Sequence, residues 1–240
     1  MRNISPKQFM VVIIALLLAT VAYQEMFPGQ AGPLPFIESI DTGPVCEVPL
    51  LIGDQDQNGN RVPDALDLVD GARQEVLRKT RYDASFYAGG YPPEGRGACT
   101  DVIWRAFKTA GYDFKAMLDQ DISNNPEAYG ATGQNPDPQI DFRRVKNQQI
   151  FLQRYGQELT IEVVARDVEN LKQWQPGDIV IFAPPYEHIG IVSDKRLKSG
   201  VPLVIHNGGP QASEANVLQN WPSKITHHYR FIPVAESERK

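Results

Sequence analysis

Five short apolar segments, separated by turn residues, fill the last third of this 240-residue chain and restrict the folds open to it. Most are rich in Val and Ile, and in order they are LTIEVVA, DIVIFAP, HIGIVSD, PLVIHN and HHYRFIP. β-branched runs of this length between turn residues are typical of strands joined by tight connections. We therefore predict an antiparallel sheet in this part of the chain.

The chain ahead of these segments shows helical periodicity instead. The predicted elements are, in order, a helix over about 63–80, a second over 99–110, a short helix near 114–121, a polar loop over 123–141 and a helix near 143–155. In the second helix the apolar residues recur on one stripe, and Gly111 supplies a stop signal at its end. Helices followed by antiparallel strands predict an α+β domain, which we expect over 64–235.

The N-terminus has the form of an export segment. Arg2 and Lys7 precede the apolar run Phe9–Tyr23, and a short basic region before an apolar run is typical of a signal peptide. A buried core helix is the alternative interpretation. We predict a signal or membrane anchor over 1–27 and a Pro- and Gly-rich tether over 28–53. The folded domain would then lie outside the cytoplasmic membrane, either secreted or anchored.

The composition restricts the partners. The chain carries a net charge of −5, with 22% charged residues and no long run of Lys or Arg. Such a balance gives no basic footprint for nucleic acid and no attraction to an anionic surface. We therefore expect no nucleic-acid partner, and the sequence leaves the oligomeric state open.

Two cysteines occur, and their surroundings differ. Cys46 lies in a Pro-rich segment, whereas Cys99 follows a Gly-rich approach and opens the second predicted helix. The positive end of a helix dipole favours a thiolate at such a position, so Cys99 is a candidate nucleophile. Two alternatives remain. One is a buried structural cysteine, and the other is a Cys46–Cys99 disulfide, which an exported protein would permit.

Two of the four histidines occupy corresponding strand ends. His188 begins the third apolar segment and His206 ends the strand of the fourth, so adjacent pairing would bring both rings to one edge of the sheet. A cysteine, a basic imidazole and a third group that orients it form the working unit of a cysteine hydrolase. We predict Cys99 as nucleophile, His188 as base and His206 as the orienting residue. Strand alternation points Asn207 to the opposite face.

Several ordered motifs resemble a known family. The motifs are GACTDVIWRAFKTAGYD, PGDIV with HIGIVSD, VIHN, IDFRRVKNQQIFLQRYG and the closing HHYRF. Over about 64–232 the chain is similar to domain of unknown function 1287, a member of the papain-like superfamily of NlpC-type cell-wall peptidases. The resemblance implies a papain-like, NlpC-type fold with Cys99, His188 and His206 as the catalytic positions. It also implies amide bonds, often in peptidoglycan stem peptides, as the substrate.

The predicted function is therefore an exported cysteine hydrolase that needs no cofactor for catalysis. Tyr82 and Asp83, upstream of the nucleophile, are predicted to line the substrate cleft. Two other functions stay open on the same fold. One is a non-catalytic module that binds wall polymer in the same cleft, and the other is an acyltransferase or lipid esterase.

A second motif, DQDQNGNRVPDALD at 54–67, carries oxygen-bearing side chains at alternate positions ahead of a predicted helix. Such spacing suits a calcium ion. The predicted ligands are Asp56, Asn58, Asn60, the Val62 carbonyl, Asp64 and Asp67. This register resembles the calcium loops of thrombospondin type-three repeats, but it has Arg61 where those loops usually carry Gly.

Two alternatives to this register exist. A register that begins at Asp54 puts Gly59 in the sixth position but places Ala65 where a bidentate acid is needed. An Asx-rich turn that caps the following helix would need no metal. We predict a structural calcium ion, remote in sequence from the catalytic residues.

Overall fold

The computed structural model describes residues 43–231. The predicted export segment and most of the predicted tether lie outside the described residues. Between residues 43 and 231, no helix combines the length and the apolar character that crossing a membrane requires.

Seven α-helices and eight strands follow one another in the described part of the chain. The helices are α1 (Asp64–Leu77), α2 (Cys99–Thr109), α3 (Phe114–Asn124), α4 (Ala131–Gln134), α5 (Val145–Tyr155), α6 (Val168–Leu171) and α7 (Val217–Asn220). The strands are β1 (Arg81–Tyr82), β2 (Arg96–Gly97), β3 (Gly156–Glu158), β4 (Ile179–Phe182), β5 (His188–Arg196), β6 (Pro202–His206), β7 (Ser213–Ala215) and β8 (Ile225–Phe231).

Six strands form one antiparallel sheet in the order β3-β8-β4-β5-β6-β7. Strands β4 and β5 make a hairpin in which Phe182 pairs with His188, and β5 pairs with β6 through Ile191 and Ile205. The remaining strands, β1 and β2, form a short parallel pair ahead of α2. Helices combined with an antiparallel sheet confirm the predicted α+β class.

Both faces of the sheet are covered by apolar side chains. Successive residues of β4 alternate, so that Ile179 and Ile181 pack among the helices while Val180 and Phe182 belong to a second apolar layer. Trp174 is fully buried in that second layer. Burial on both faces explains why β4 is a continuous apolar run rather than an alternating one.

Helix α2 packs against both α1 and β5. Its apolar stripe, which includes Phe107, is buried. Gly71 of α1 allows a close approach, because a Cβ atom at this position would lie 2.8 Å from the Cα atom of Ala106. The helix ends ahead of Gly111, whose φ of 88° lies in the left-handed region. These contacts hold the first turn of α2, and with it Cys99, against the sheet.

The predicted strand at 159–165 is wrong. The strand of this region is Gly156–Glu158, which pairs with β8, and beyond Leu159 the chain has no ladder partners. Val163 packs against the second apolar layer instead. The β-branched composition is that of a strand, but no neighbouring strand is positioned to pair with it.

The predicted polar loop over 123–141 contains helical turns. Two 3-10 helices, Pro126–Tyr129 and Asp141–Arg143, flank α4. Tyr129 is buried, and its hydroxyl donates to Asp121 at 2.6 Å. The turn residues of this region predicted breaks in regular structure, but they gave no signal for the short helices between those breaks.

Candidate active site

Cys99 is the first residue of α2, and it is 8% exposed. The backbone N–H groups of Ile189 and Thr100 lie near its sulfur and favour its ionised form. Burial raises the pKa of the Cys99 thiol to about 11, and the N–H groups offset only part of that rise. The thiolate expected from the helix dipole is therefore not the resting state. Cys46 and Cys99 are both free, so the alternative of a disulfide between them is wrong.

His188 and His206 form a buried pair at the edge of the sheet. His188 opens β5, His206 ends β6, and the Nε2 atom of the first lies 2.8 Å from the Nδ1 atom of the second. Only 3% and 5% of the two residues are exposed. Burial, reinforced by the neighbouring His206, lowers the pKa of His188 well below its ordinary value, and burial lowers the pKa of His206 to about 4. Both rings are therefore neutral near pH 7.

The backbone of β5 passes close to the sulfur of Cys99 and carries His188 of the imidazole pair. Ile189, whose backbone N–H lies near the sulfur of Cys99 and favours its ionised form, directly follows His188 in β5. Within residues 43–231 no hydrogen bond links the sulfur to either ring, and Nδ1 of His188 has no hydrogen-bond partner. The structure thus joins His188 to His206 through side chains, and it holds Cys99 beside the start of β5. Catalytic hydrogen bonds are often long before substrate binds.

Two further residues complete the surroundings of the pair, and sequence reasoning missed both. Ser213 of β7 places its hydroxyl 3.2 Å from Nε2 of His206. The Trp221 ring stacks on His188 at 4.1 Å between centroids, with an interplanar angle of 16°. Its indole N–H donates to the carbonyl of Tyr186 at 2.8 Å, which fixes the ring. Trp221 follows α7 in a segment without periodicity, so only its aromatic character was available as a signal.

Asn207 faces away from the imidazole pair. It is fully buried, and its Nδ2 atom donates to the carbonyls of Gly97 at 2.8 Å and Thr80 at 3.1 Å. Gly97 lies two residues before Cys99, where a Cβ atom would approach Asp101 Cβ to 2.8 Å. Asn207 therefore holds the glycine-containing approach to the nucleophile.

Tyr82 and Asp83 lie beside the glycine-containing segment that leads to Cys99. Asp83 donates its backbone N–H to the carbonyl of Gly97, and the side chain of Tyr82 is 41% exposed. Burial raises the pKa of Tyr82, and the nearby Cys99 contributes to that rise. Hydrogen bonds from Ser85 and from the Tyr87 hydroxyl hold the pKa of Asp83 well below its usual range. The structure therefore places an ionised carboxylate and a partly exposed phenol close to the thiol-bearing end of α2.

Comparison with known proteins supplies the family. The sequence profile of DUF1287, the domain of unknown function 1287, matches residues 69–231. The chain belongs to the DUF1287 family. It is also 35% identical over 175 residues to the "Uncharacterized protein YijF" of Escherichia coli (strain K12), an alignment that covers 70% of this chain and 82% of that protein. No solved structure matches the chain significantly.

The DUF1287 match contains every residue of the site described above, including Tyr82, Asp83, Cys99, His188 and His206. It begins after the acidic loop at 54–67. The α+β class holds for this DUF1287 member, whereas the papain-like assignment stays a prediction.

The loop at 54–67 closes on itself through side chains. The carboxylate of Asp56 accepts the backbone N–H groups of Asn60 and Arg61. The Nδ2 atoms of Asn58 and Asn60 donate to the carboxylate of Asp67 at 2.7–3.1 Å. Arg61 has a φ of 71°, the left-handed conformation that Gly usually supplies at this position of a calcium loop.

The other predicted calcium ligands have different partners. Asp64 accepts the backbone N–H of Gln57 at 2.8 Å and the buried hydroxyl of Tyr112 at 2.5 Å. Val62 donates its N–H to Oδ1 of Asn60. Among the described residues, no three His, Cys, Asp or Glu side chains are grouped as they would be around a metal ion.

Proposed function

We propose that the protein is an extracytoplasmic cysteine hydrolase that cleaves an amide bond, with peptidoglycan stem peptides as its substrate. One observation carries the proposal. The buried imidazoles of His188 and His206 are joined at 2.8 Å, and the backbone N–H of the next residue, Ile189, lies near the sulfur of Cys99 and favours its ionised form. A nucleophile, a base and a group that orients the base are thus drawn from α2, β5 and β6.

The reaction begins from a neutral thiol and a neutral imidazole. The sulfur of Cys99 attacks the carbonyl carbon while Nδ1 of His188 takes the thiol proton, so a C–S bond forms and the carbonyl π electrons move to oxygen. His188 then gives this proton to the amide nitrogen, the electron pair on oxygen re-forms the carbonyl, and the C–N bond breaks to release an amine and leave an acyl-enzyme. In the second half, His188 deprotonates water, which attacks the acyl carbon. The C–S bond breaks, a carboxylic acid leaves, and the sulfur recovers its proton.

His206 supports the base in both halves. When Nε2–H of His188 donates to Nδ1 of His206, the free nitrogen of His188 is Nδ1, and His206 in turn donates Nε2–H to the hydroxyl of Ser213. This chain of hydrogen bonds fixes one tautomer for each ring. The backbone N–H of Cys99, in the first turn of α2, is the donor that we assign to the oxyanion.

The residues beside the nucleophile suit a polar substrate. Asp83 remains ionised although Arg96 pairs with one of its oxygens at 3.4 Å, and Tyr82 offers a phenol that is partly exposed. A carboxylate attracts an ammonium group, and a phenol both donates and accepts hydrogen bonds. A short peptide with a free amino group carries the complementary chemistry, which supports a stem peptide over a lipid ester.

We also propose that the loop at 54–67 holds a structural calcium ion. The carboxylates of Asp56 and Asp67 and the amides of Asn58 and Asn60 already belong to one closed loop. Rotating the two amides by half a turn would present oxygen, the atom calcium binds, in place of nitrogen. The fit at Asp64 is weaker, because that carboxylate is already bonded to Tyr112. The ion would fasten the loop to the first turn of α1.

Export is the third part of the proposal. The basic and apolar residues of 1–27 support it, because they have the order of a signal or anchor. A reporter fused after Lys240 should be active outside the cytoplasmic membrane. Activity of that reporter in the cytoplasm alone would contradict this assignment.

The substrate is tested by incubating the purified protein with purified cell-wall fragments and identifying the products by mass. We expect peptide products formed by addition of one water across an amide bond. Cys46→Ala serves as the matched control and should give the same products, whereas Cys99→Ala should give none. Retention on wall fragments without products would support a binding module instead. Release of fatty acid from a lipid ester, with wall fragments untouched, would support an esterase.

A further inference from the structure

Asp101, two residues after the nucleophile, forms a buried, two-pronged ion pair with Arg143. Nε of Arg143 donates to Oδ1 of Asp101 at 2.8 Å, and Nη2 donates to Oδ2 at 2.9 Å. The side chains are 0% and 2% exposed. A parallel pair of this kind combines charge with fixed geometry.

Oδ1 of Asp101 also accepts the indole N–H of Trp104 of the same helix at 2.9 Å. Other hydrogen bonds of the pair reach both sides of the candidate site. Oδ2 of Asp101 accepts the backbone N–H of Ala98, the residue before Cys99, at 2.7 Å. Arg143 donates to the carbonyl of Ser85 at 2.7 Å, and its Nη2 atom lies 3.4 Å from the carbonyl of Asp83. The pair therefore joins the first turn of α2 to the segment that carries Asp83.

Stability alone does not explain such a pair. Removing two charges from water is costly, and well-packed apolar residues of similar volume often stabilise a fold equally well. Asp101 places a negative charge in the first turn of α2, where it opposes ionisation of Cys99 and raises the pKa of that thiol. Arg143 brings the compensating positive charge to the same carboxylate.

We propose that Arg143 is a positioning residue for Cys99, which compensates the charge of Asp101 beside the thiol and fastens the Asp83–Ser85 backbone to the start of α2. The inference rests on the proposed function in taking Cys99 as the nucleophile. Its chemical consequence is the ease with which the thiol loses its proton, and this can be measured without turnover.

Other ionisable groups near the thiol are accounted for. From β1 and β5 these are the phenol of Tyr82 and the imidazole of His188, which is bonded to His206. Most other charges on the elements packed against α2 are ion-paired: Arg73 with Asp194 and Glu214, Glu75 with Arg105, Arg96 with Asp83, Lys115 with Asp119, Asp121 with Arg154, Asp141 with Arg144, and Lys195 with Glu214. Asp64, Asp67 and Asp70 of α1 accept hydrogen bonds from uncharged side chains, and Arg196 of β5 donates to backbone carbonyls. The variants below change none of these groups.

The test is the pH dependence of Cys99 alkylation by iodoacetamide, in the full chain carrying Cys46→Ala so that one thiol reacts. Arg143→Met leaves Asp101 uncompensated, so the midpoint of the rate profile should move to higher pH. A displacement of one pH unit would slow alkylation about tenfold at a fixed neutral pH. Asp101→Asn should move the midpoint to lower pH and speed the reaction.

Two further variants keep the result interpretable. Asp101→Asn combined with Arg143→Met removes both charges and should return the midpoint toward that of the parent. Arg143→Lys keeps the positive charge but loses the two-pronged hydrogen bonding to Asp101. The midpoint of its alkylation profile should therefore stay near that of the parent, while KM for substrate rises. If Arg143→Met and Asp101→Asn displace the midpoint in the same direction, or neither displaces it, the proposal is wrong. If alkylation behaves as expected but no amide is cleaved, the proposed function fails and this inference stands.

Discussion

The Nε2 atom of His188 lies 2.8 Å from the Nδ1 atom of His206, and the ring of Trp221 covers the first imidazole. Between two neutral imidazoles, one nitrogen donates and the other accepts. Protonation of either ring removes an acceptor from this chain and places a charge in a buried site. Both the stability of the fold and the proposed chemistry are therefore expected to depend on this pair remaining neutral.

Acid should destabilise the protein through these histidines. Burial lowers the pKa of His206 from about 6.5 in the unfolded chain to about 4 in the folded protein, so between these values the unfolded chain binds more protons. Stability is then fully present above about pH 6.5 and falls as the pH drops toward 4. The lowered pKa corresponds to roughly 3 kcal/mol for His206 alone. Urea unfolding from pH 8 to pH 4 measures this loss.

The matched variant for this experiment is His206→Gln, which keeps a hydrogen-bonding side chain without a titrating ring. The loss of stability between pH 6.5 and 4 should be smaller in the variant than in the parent. Comparison at pH 8 isolates the lost contacts, because both rings are neutral there. Equal losses in the two proteins would contradict a buried, neutral His206.

Trp221 should set the pH range in which the base works. Trp221→Ala would admit water to the face of His188 and raise its pKa toward the ordinary value, so more of the base would be protonated at pH 6. We expect the acidic limb of the rate profile to move to higher pH, with a loss of up to about fourfold at pH 6 if the pKa returns to its ordinary value of about 6.5. Trp221→Phe keeps an aromatic cover and should behave like the parent. If the acidic limb of the rate profile stays at the same pH in Trp221→Ala, then Trp221 does not shield His188 from water.

His206 and Asn207 are adjacent but should respond differently. His206→Ala should reduce the turnover rate on the order of 100-fold without eliminating it, and His206→Gln should recover part of the loss. Asn207→Ala instead removes one of two donors to the carbonyls of Gly97 and Thr80, which keep the backbone N–H groups of Asp83 and Ala212. The cost is about 0.5–1.5 kcal/mol for each lost hydrogen bond. Its main effect should be a lower melting temperature. A stable Asn207→Ala protein with the larger loss of rate would transfer the orienting role to Asn207.

Calcium should raise the melting temperature if the loop at 54–67 binds it. Binding to the folded state alone stabilises by about 2.7 kcal/mol at a hundredfold excess over the dissociation constant. Asp56→Asn keeps an acceptor for the N–H groups of Asn60 and Arg61 but removes a charge, so it should abolish the response to calcium and chelator. Asp64→Ala is less selective because it also removes the partner of Tyr112. Identical melting curves with and without calcium would show an Asx-rich turn instead.

The sequence predicted the α+β class because the spacing of its apolar residues matches the residues that each helix and strand buries. The stripe of α2 and the apolar runs of β4, β5 and β6 lie where the pattern indicated. The segment at 159–165 failed because strand propensity describes a residue's fit to a sheet and says nothing about whether a neighbouring strand exists.

The site was predictable only in part. His188 and His206 could be predicted because a polar residue at the end of an apolar run can be recognised in the sequence itself. Ser213 and Trp221 reach the same rings from β7 and from the segment after α7, which only the folded chain brings near. The protonation state of Cys99 was also beyond the sequence. A helix N-terminus lowers a thiol pKa, but the opposing burial depends on every element packed around the sulfur.

Capture of an acyl-enzyme tests the central claim most directly. The full-length protein is mixed with stem-peptide fragments, quenched in acid, and its mass is measured intact and after proteolysis. The account predicts a peptide-acyl adduct on the fragment that contains Cys99, present in the parent and in Cys46→Ala and absent in Cys99→Ala. Amide cleavage that persists in Cys99→Ala would contradict it.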